Sequence, residues 1–191
     1  MKNKFNYYSR LGLWSLFLTC AFPLHFWAII LIFNDSTWIA KRSNAWDSVG
    51  VASYGLVFAF IESLLLFFAV ALLGFLVSTK WKEDRRIALM STLVAVTALW
   101  AMTAQLYFFL NVTFPESWLL FFALVGHPLR FLYETAFILV LPTVAIPTWL
   151  ILKFEKPLNF AATGIEKITL LTSLYLFFDF IGLIILVARN L

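Results

Sequence analysis

An apolar run at residues 50–78, interrupted by the single carboxylate Glu62, constrains this chain more than any other feature. About 20 apolar residues are enough for a helix to cross the hydrocarbon core of a bilayer. The run exceeds that length, so it predicts a transmembrane helix with an ionisable group near the middle of the membrane. Composition agrees, because 63% of the residues are hydrophobic and only 13% are charged, against about 45–50% and about 25% in soluble domains.

Four other apolar runs also have the length of a membrane span. With the first run they predict an all-α integral membrane protein, a bundle of five transmembrane helices in a single domain, 1–191. The predicted spans are 11–33, 50–78, 87–110, 131–152 and 168–188, with a polar loop at 153–167. Between the third and fourth spans, residues 116–126 contain an apolar run too short to cross. This segment predicts a short interfacial or re-entrant helix, preceded by Pro115 and followed by Gly126.

The distribution of basic residues predicts the orientation of the bundle. With five spans, ten of the 14 lysines and arginines fall on the side of the N-terminus, and four fall on the other side. Basic residues are enriched in cytoplasmic loops. We therefore expect the N-terminus in the cytoplasm and the C-terminus outside.

Several classes of function are excluded or disfavoured by the residues that are present. The net charge of +4 comes from short tracts that flank apolar runs, which does not indicate binding to nucleic acid. A single cysteine, Cys20, and two histidines make a structural zinc site unexpected. The sequence has no glycine-rich phosphate loop and no metalloprotease or serine-hydrolase motif. We expect no cofactor and no metal, and the expected partners are the lipid bilayer and other membrane subunits or further copies of the chain.

Two acidic residues, Glu62 and Asp179, are placed near the centres of predicted spans. On a helical wheel Glu62 shares a face with the small residues Gly55 and Ala59, so we expect it to point into the bundle. The opposite face of that span is expected to meet lipid; it carries Val57, Phe60, Leu64 and Phe67. Asp179 lies on a stripe with hydrogen-bonding groups and a glycine, namely Thr172, Tyr175 and Gly182. Asp179 is therefore the expected counterpart of Glu62.

Other polar residues lie at shallower predicted depths. His127, Arg130 and Glu134 follow one another at helical spacing, and Arg130 and Glu134 are expected to form an ion pair at the outer edge of the fourth span. His25 and Gln105 lie in the outer halves of their spans. Together with Glu62 and Asp179 these residues predict a polar funnel that opens outward. The candidate residues for a ligand or cation are Glu62, Asp179, His25, Gln105 and Glu134.

The segment His-Pro-Leu-Arg-Phe at 127–131 resembles a short stretch of the emopamil-binding, sterol-isomerase-like family of helical membrane proteins. The resemblance covers five residues. The preceding span, 87–110, lacks the acidic residue that this family uses. The function of the family is therefore not transferred to this chain.

Three functions remain open at this point. In the first, the chain is a non-catalytic accessory or self-associating bundle, and Glu62 and Asp179 are protonated or paired groups that organise helix contacts. In the second, Glu62 and Asp179 hold a cation, a proton or a basic ligand, because unpaired acids in a membrane attract a cation. In the third, Glu62, Asp179 and His25 carry out acid–base or metal chemistry within the membrane.

Overall fold

The computed structural model describes residues 8–42, 44–77, 81–109 and 115–191 of the chain. These residues form six α-helices, and they contain no β-strand. The helices are α1 (Arg10–Arg42), α2 (Ala45–Gly74), α3 (Glu83–Phe109), α4 (Glu116–Leu124), α5 (Pro128–Lys153) and α6 (Glu155–Asn190). Five of them, all but α4, are long and apolar enough to cross a membrane. The prediction of five long apolar helices is confirmed, and the architecture is compatible with a membrane protein.

The short helix α4 lies between the third and fourth long helices, where the sequence predicts one. It covers nine residues and none of its side chains is buried. Three residues separate its carboxyl end from the start of α5, where Pro128 occupies one of the first helical positions. Proline is favoured there because the first N–H groups of a helix have no intrahelical acceptor. An interfacial or re-entrant position for α4 stays a prediction.

Helix α2 begins before the apolar run that identifies it. The side chain of Asn44 accepts a hydrogen bond from the backbone N–H of Asp47 at 2.9 Å, which caps the helix. Asp47 itself lies in the first turn, where a negative charge is favoured by the helix dipole. The polar residues before Gly50 are thus the first turn of α2.

The expected polar loop at 153–167 is wrong, because α6 begins at Glu155 and only Phe154 separates it from α5. A stripe of buried residues explains the extension. These residues recur every seven positions along α6 and are Leu158, Ile165, Thr172, Asp179 and Leu186. A seven-residue spacing keeps one seam of a helix against its neighbours. Leu158 and Ile165 pack with Ala88 and Ile151, so the polar segment has a buried side that holds it as helix.

Helix α1 is the centre of the bundle and packs against α2, α3 and α6. Its residues Leu16 and Cys20 are fully buried in an apolar cluster that also includes Val70 of α2 and Met90 of α3. On another side Phe17 and Ala21 meet α2 and α6. Helix α5 packs against α3 and α6 and buries very little of its surface.

Polar contacts tie the helix ends together at both ends of the bundle. Arg189 near the end of α6 pairs with Asp47 at the start of α2, at 2.9 Å between Nη2 and Oδ1. At the opposite end, Arg85 of α3 pairs with Glu155 of α6 at 2.6 Å. There the backbone N–H of Ser9 also donates to the Glu83 carboxylate. The N-terminus of α1, the start of α3 and the start of α6 therefore share one end of the bundle.

Candidate functional site

The interior of the bundle contains a histidine–aspartate pair between α1 and α6. The Nε2 atom of His25 lies 2.8 Å from Oδ2 of Asp179. The Nδ1 atom of His25 lies 2.8 Å from the backbone carbonyl oxygen of Ala21, one turn earlier in α1. His25 is fully buried and Asp179 is 6% exposed. Both ring nitrogens are therefore engaged in a part of the bundle that is closed to solvent.

The contacts of His25 determine how many protons the pair holds. A backbone carbonyl only accepts hydrogen bonds, so Nδ1 carries a proton and donates it to Ala21. The short contact between Nε2 and Oδ2 needs a second proton between those atoms. That proton belongs either to an imidazolium beside a carboxylate or to a neutral carboxyl beside a neutral imidazole. In both arrangements the His25–Asp179 pair has no net charge, which suits a group buried inside an apolar bundle.

The surroundings of the pair are aromatic on one side. The ring of Tyr175 stacks on His25 with centroids 6.0 Å apart and an interplanar angle of 14°. Tyr175 also stacks on Phe22, one turn before His25 in α1. The Oδ1 atom of Asp179 is buried and has no hydrogen-bond partner among the described residues. The contact between Nε2 and Oδ2 is therefore the hydrogen bond that joins this carboxyl group to α1.

The stripe predicted around Asp179 is present in α6. Thr172 and Gly182 are buried on the same side as Asp179, and Tyr175 is half-buried beside them. Gly182 meets α2 closely, since a Cβ added there would lie 3.4 Å from the backbone oxygen of Ser53. A small residue at this point allows α2 and α6 to approach. That approach brings the seam of α6, including Asp179, into the bundle.

Glu62 does not point into the bundle, so the expectation from the helical wheel is wrong. Its side chain is exposed on the outer surface of α2, as are those of Phe58 and Leu65. The face expected to meet lipid is instead the one that packs on α1, where Phe17 makes edge-to-face contacts with Phe60 and Phe67. Ala59 is also buried, and a Cβ added at Gly55 would lie 3.1 Å from Ile32 of α1, so small and aromatic residues both face α1 while Glu62 stays exposed.

The register of α2 against α6 also separates Glu62 from Asp179. Gly182 packs on Ser53 and Arg189 pairs with Asp47, which places Asp179 level with Val57. Glu62 lies five residues further along α2, which is about 7.5 Å at the helical rise of 1.5 Å per residue. The partner of Asp179 is therefore His25, and the expected pairing with Glu62 is absent.

Glu62 instead lines a groove between α1 and α2. The groove has a volume of about 440 Å³. Its walls carry two carboxylates, three aromatic residues and several small or aliphatic ones: Asp35, Glu62, Trp27, Tyr54, Phe58, Leu24, Ala28, Leu31, Ile32, Val51, Gly55 and Ala59. We call it the α1–α2 groove. Glu62 and Leu24 lie at one end of the groove, and Asp35 and Val51 lie at the other end, because the two helices are antiparallel.

The remaining candidate residues lie apart from the pair. Arg130 and Glu134 form the expected ion pair, 2.7 Å between Nε and Oε1, on the exposed surface of α5. His127 caps the start of α5 with its backbone and is exposed, and Gln105 is exposed on α3. The predicted polar funnel is not assembled, because these side chains do not share a cavity with His25. A binding role for any one of them stays a prediction.

Metal chemistry at Glu62, Asp179 and His25 is not supported by the placement of these residues. Within the described ranges, no three histidine, cysteine, aspartate or glutamate side chains are close enough together to hold a metal ion. The His25–Asp179 pair was not predicted as a pair from the sequence. The available signals were the seven-residue stripe in α6 and the placement of His25 one turn after Ala21 in α1.

Comparison of the chain with protein-family models, with curated protein sequences and with solved structures finds no match. The function of the chain is therefore inferred from the geometry of its two acidic sites.

Proposed function

We propose that this protein is a membrane-embedded binding bundle that takes up a lipophilic cation in the α1–α2 groove, with Glu62 as the counter-ion. The observation that supports it is the exposed carboxylate of Glu62 in the middle of an apolar helix, inside a concave groove. A charged group facing lipid is costly, and such groups pair with another polar group or mark a ligand pathway. The described residues provide no hydrogen bond or ion pair to Glu62, so a ligand is the partner we assign to it.

The walls of the α1–α2 groove match a cation in two ways. Glu62 and Asp35 give it a negative character at both ends, and no lysine or arginine among the described residues lines it. Trp27, Tyr54 and Phe58 add aromatic faces, which attract cations through the ring quadrupole. The remaining wall is aliphatic, so the ligand needs an apolar body as well as a positive charge. An organic monocation meets both requirements better than a hydrated metal ion does.

The two mid-span acids then have different roles. Asp179 is enclosed with His25 in a neutral pair and joins α1 to α6, so it has the organising role of the first hypothesis. Glu62 is accessible and has the binding role of the second hypothesis. On this proposal the N-terminal end of the bundle faces the cytoplasm, in agreement with the excess of basic residues there, and the groove opens toward the outer side through Asp35.

Binding of radiolabelled tetraphenylphosphonium to the protein in lipid nanodiscs tests this proposal. We expect saturable binding that Glu62→Gln weakens by about tenfold or more, because the substitution removes the charge and keeps the shape. Phe58→Leu should weaken binding by a smaller factor, about two- to fivefold, through the lost ring face. Glu116→Gln is the matched control, since Glu116 is an exposed carboxylate of α4 outside the groove.

Two results would contradict the proposal. One is the absence of saturable binding in the wild-type protein, and the other is equal binding by wild type and Glu62→Gln. The variants Glu62→Gln and Phe58→Leu should keep the wild-type unfolding temperature, because an exposed side chain contributes little to packing. That measurement separates a lost ligand from a lost fold.

A second candidate function is self-association through the same groove, as in the first hypothesis. The observation that favours it is the presence of three small residues in the wall of the groove, namely Ala28, Gly55 and Ala59. Small residues allow a further helix to approach closely in lipid. If Glu62→Gln leaves tetraphenylphosphonium binding unchanged and Gly55→Leu converts an oligomer to a monomer in nanodiscs, this second function replaces the first.

A further inference from the structure

We infer that a second cavity, an open crevice lined by residues of α1, α3, α5 and α6, binds a long-chain aliphatic alcohol or ketone whose oxygen accepts a hydrogen bond from Ser91. The cavity has a volume of about 350 Å³. We call it the Ser91 cavity. It is separate from the α1–α2 groove, and the part of the chain that the structure describes contributes no charged residue to its wall. The ligand it fits is therefore uncharged, in contrast to the cation proposed for the groove.

The hydroxyl of Ser91 supplies the polar part of the argument. Ser91 is 1% exposed, and its Oγ has no hydrogen-bond partner among the described residues. Three other buried hydroxyls do have an acceptor, since Ser53, Ser63 and Thr172 each donate to a backbone carbonyl one turn earlier. A buried donor without an acceptor costs free energy. A ligand oxygen in the cavity satisfies it.

The shape of the cavity supplies the apolar part. A Cβ added at Gly164 meets nothing within 4 Å, although Gly164 directly precedes the buried Ile165. Open space therefore lies beside α6, and the remaining wall is built mainly from aliphatic and proline side chains such as Leu150 and Pro147. An aliphatic chain fills such a space, and its oxygen then lies at the level of Ser91.

A hydrogen-bonding site is distinguished from ordinary lipid contact by two photoreactive probes of equal length. One is hexadecanol with a diazirine in its chain, and the other is hexadecane with the same diazirine. We expect the alcohol to label the α5 and α6 residues of the cavity wall in nanodiscs, with competition by unlabelled hexadecanol. Ser91→Ala should lower labelling by the alcohol about five- to tenfold, the effect of one hydrogen bond. It should not change labelling by the hydrocarbon.

Matched variants separate occupancy from folding. Gly164→Leu adds a side chain into the open space and should abolish labelling by both probes, whereas Gly126→Leu adds the same side chain in open space outside the cavity and should not. Ser173→Ala removes an exposed hydroxyl of α6 and is the control for Ser91→Ala. Equal labelling by both probes, unchanged by Ser91→Ala, would overturn the inference. So would labelling by the alcohol that survives Gly164→Leu.

Discussion

The imidazole Nε2 of His25 and the carboxyl Oδ2 of Asp179 lie 2.8 Å apart. The two residues are 154 positions apart in the chain, and their contact joins α1 to α6. Neither residue lines the α1–α2 groove that contains Glu62. Because Nδ1 of His25 is already committed to the carbonyl of Ala21, the pair can exchange only the proton between its two members. This is the property of a neutral helix-to-helix clamp, and it can be tested through stability.

The first prediction concerns the strength of the His25–Asp179 contact. The amide of Asp179→Asn can donate to Nε2 in place of the carboxyl group, so unfolding in mixed micelles should occur at nearly the wild-type denaturant concentration. Asp179→Ala leaves the buried Nε2 without a partner and should cost about 1–3 kcal/mol, the cost of an unsatisfied buried polar group. If Ala is no more destabilising than Asn, the contact does not stabilise the bundle. Replacing both residues by leucine should restore part of the loss, since it removes both buried polar groups.

The second prediction concerns the contact between α2 and α6 at Gly182. A Cβ there lies 3.4 Å from the backbone oxygen of Ser53, and backbone cannot move aside as a side chain can. Gly182→Leu should therefore cost about 1–3 kcal/mol of unfolding free energy, the usual cost of overpacking. Gly126→Leu, placed where nothing lies within 4 Å, is the control. Equal stability of the two variants would mean that α2 and α6 are not in close contact at Ser53.

The number and type of the helices could be predicted from the sequence because the apolar runs are long and their ends are marked. The nine-residue α4 was predicted for the same reason, between Pro115 and Gly126. The stripe of Thr172, Asp179 and Gly182 was also predicted correctly, since all three are buried. In each case the signal is local, within one helix.

The partners of the acids could not be predicted because they depend on how helices are ordered and rotated. Nothing within α2 indicates that Phe60 and Phe67 pack on Phe17 of α1, and this contact turns Glu62 outward. Likewise, nothing within α6 indicates that α1 lies beside Asp179. Almost every residue of a membrane helix is apolar, so the side that faces protein differs little in composition from the side that faces lipid.

The third prediction tests the rotation of α2 with two phenylalanines two positions apart. Phe60 is half-buried and contacts Phe17 edge to face, whereas Phe58 is 65% exposed. Phe60→Ala should cost about 2–4 kcal/mol of unfolding free energy, through lost packing and a cavity. Phe58→Ala should cost less than about 0.5 kcal/mol, as expected of a surface substitution. The reverse order of the two effects would support the helical-wheel prediction, with Glu62 inside.

The fourth prediction concerns orientation and uses the accessibility of single cysteines in intact cells. Cys20 is the single cysteine of the sequence, so a Cys20→Ala variant provides a background without cysteine. Lys82 precedes α3 and Glu116 begins α4, at opposite ends of the third helix, and both are exposed. If the basic end faces the cytoplasm, a membrane-impermeant maleimide should label Glu116→Cys in intact cells and Lys82→Cys only after permeabilisation. The opposite pattern would place the mouth of the α1–α2 groove, at Asp35, on the cytoplasmic side, so the cation would enter from there.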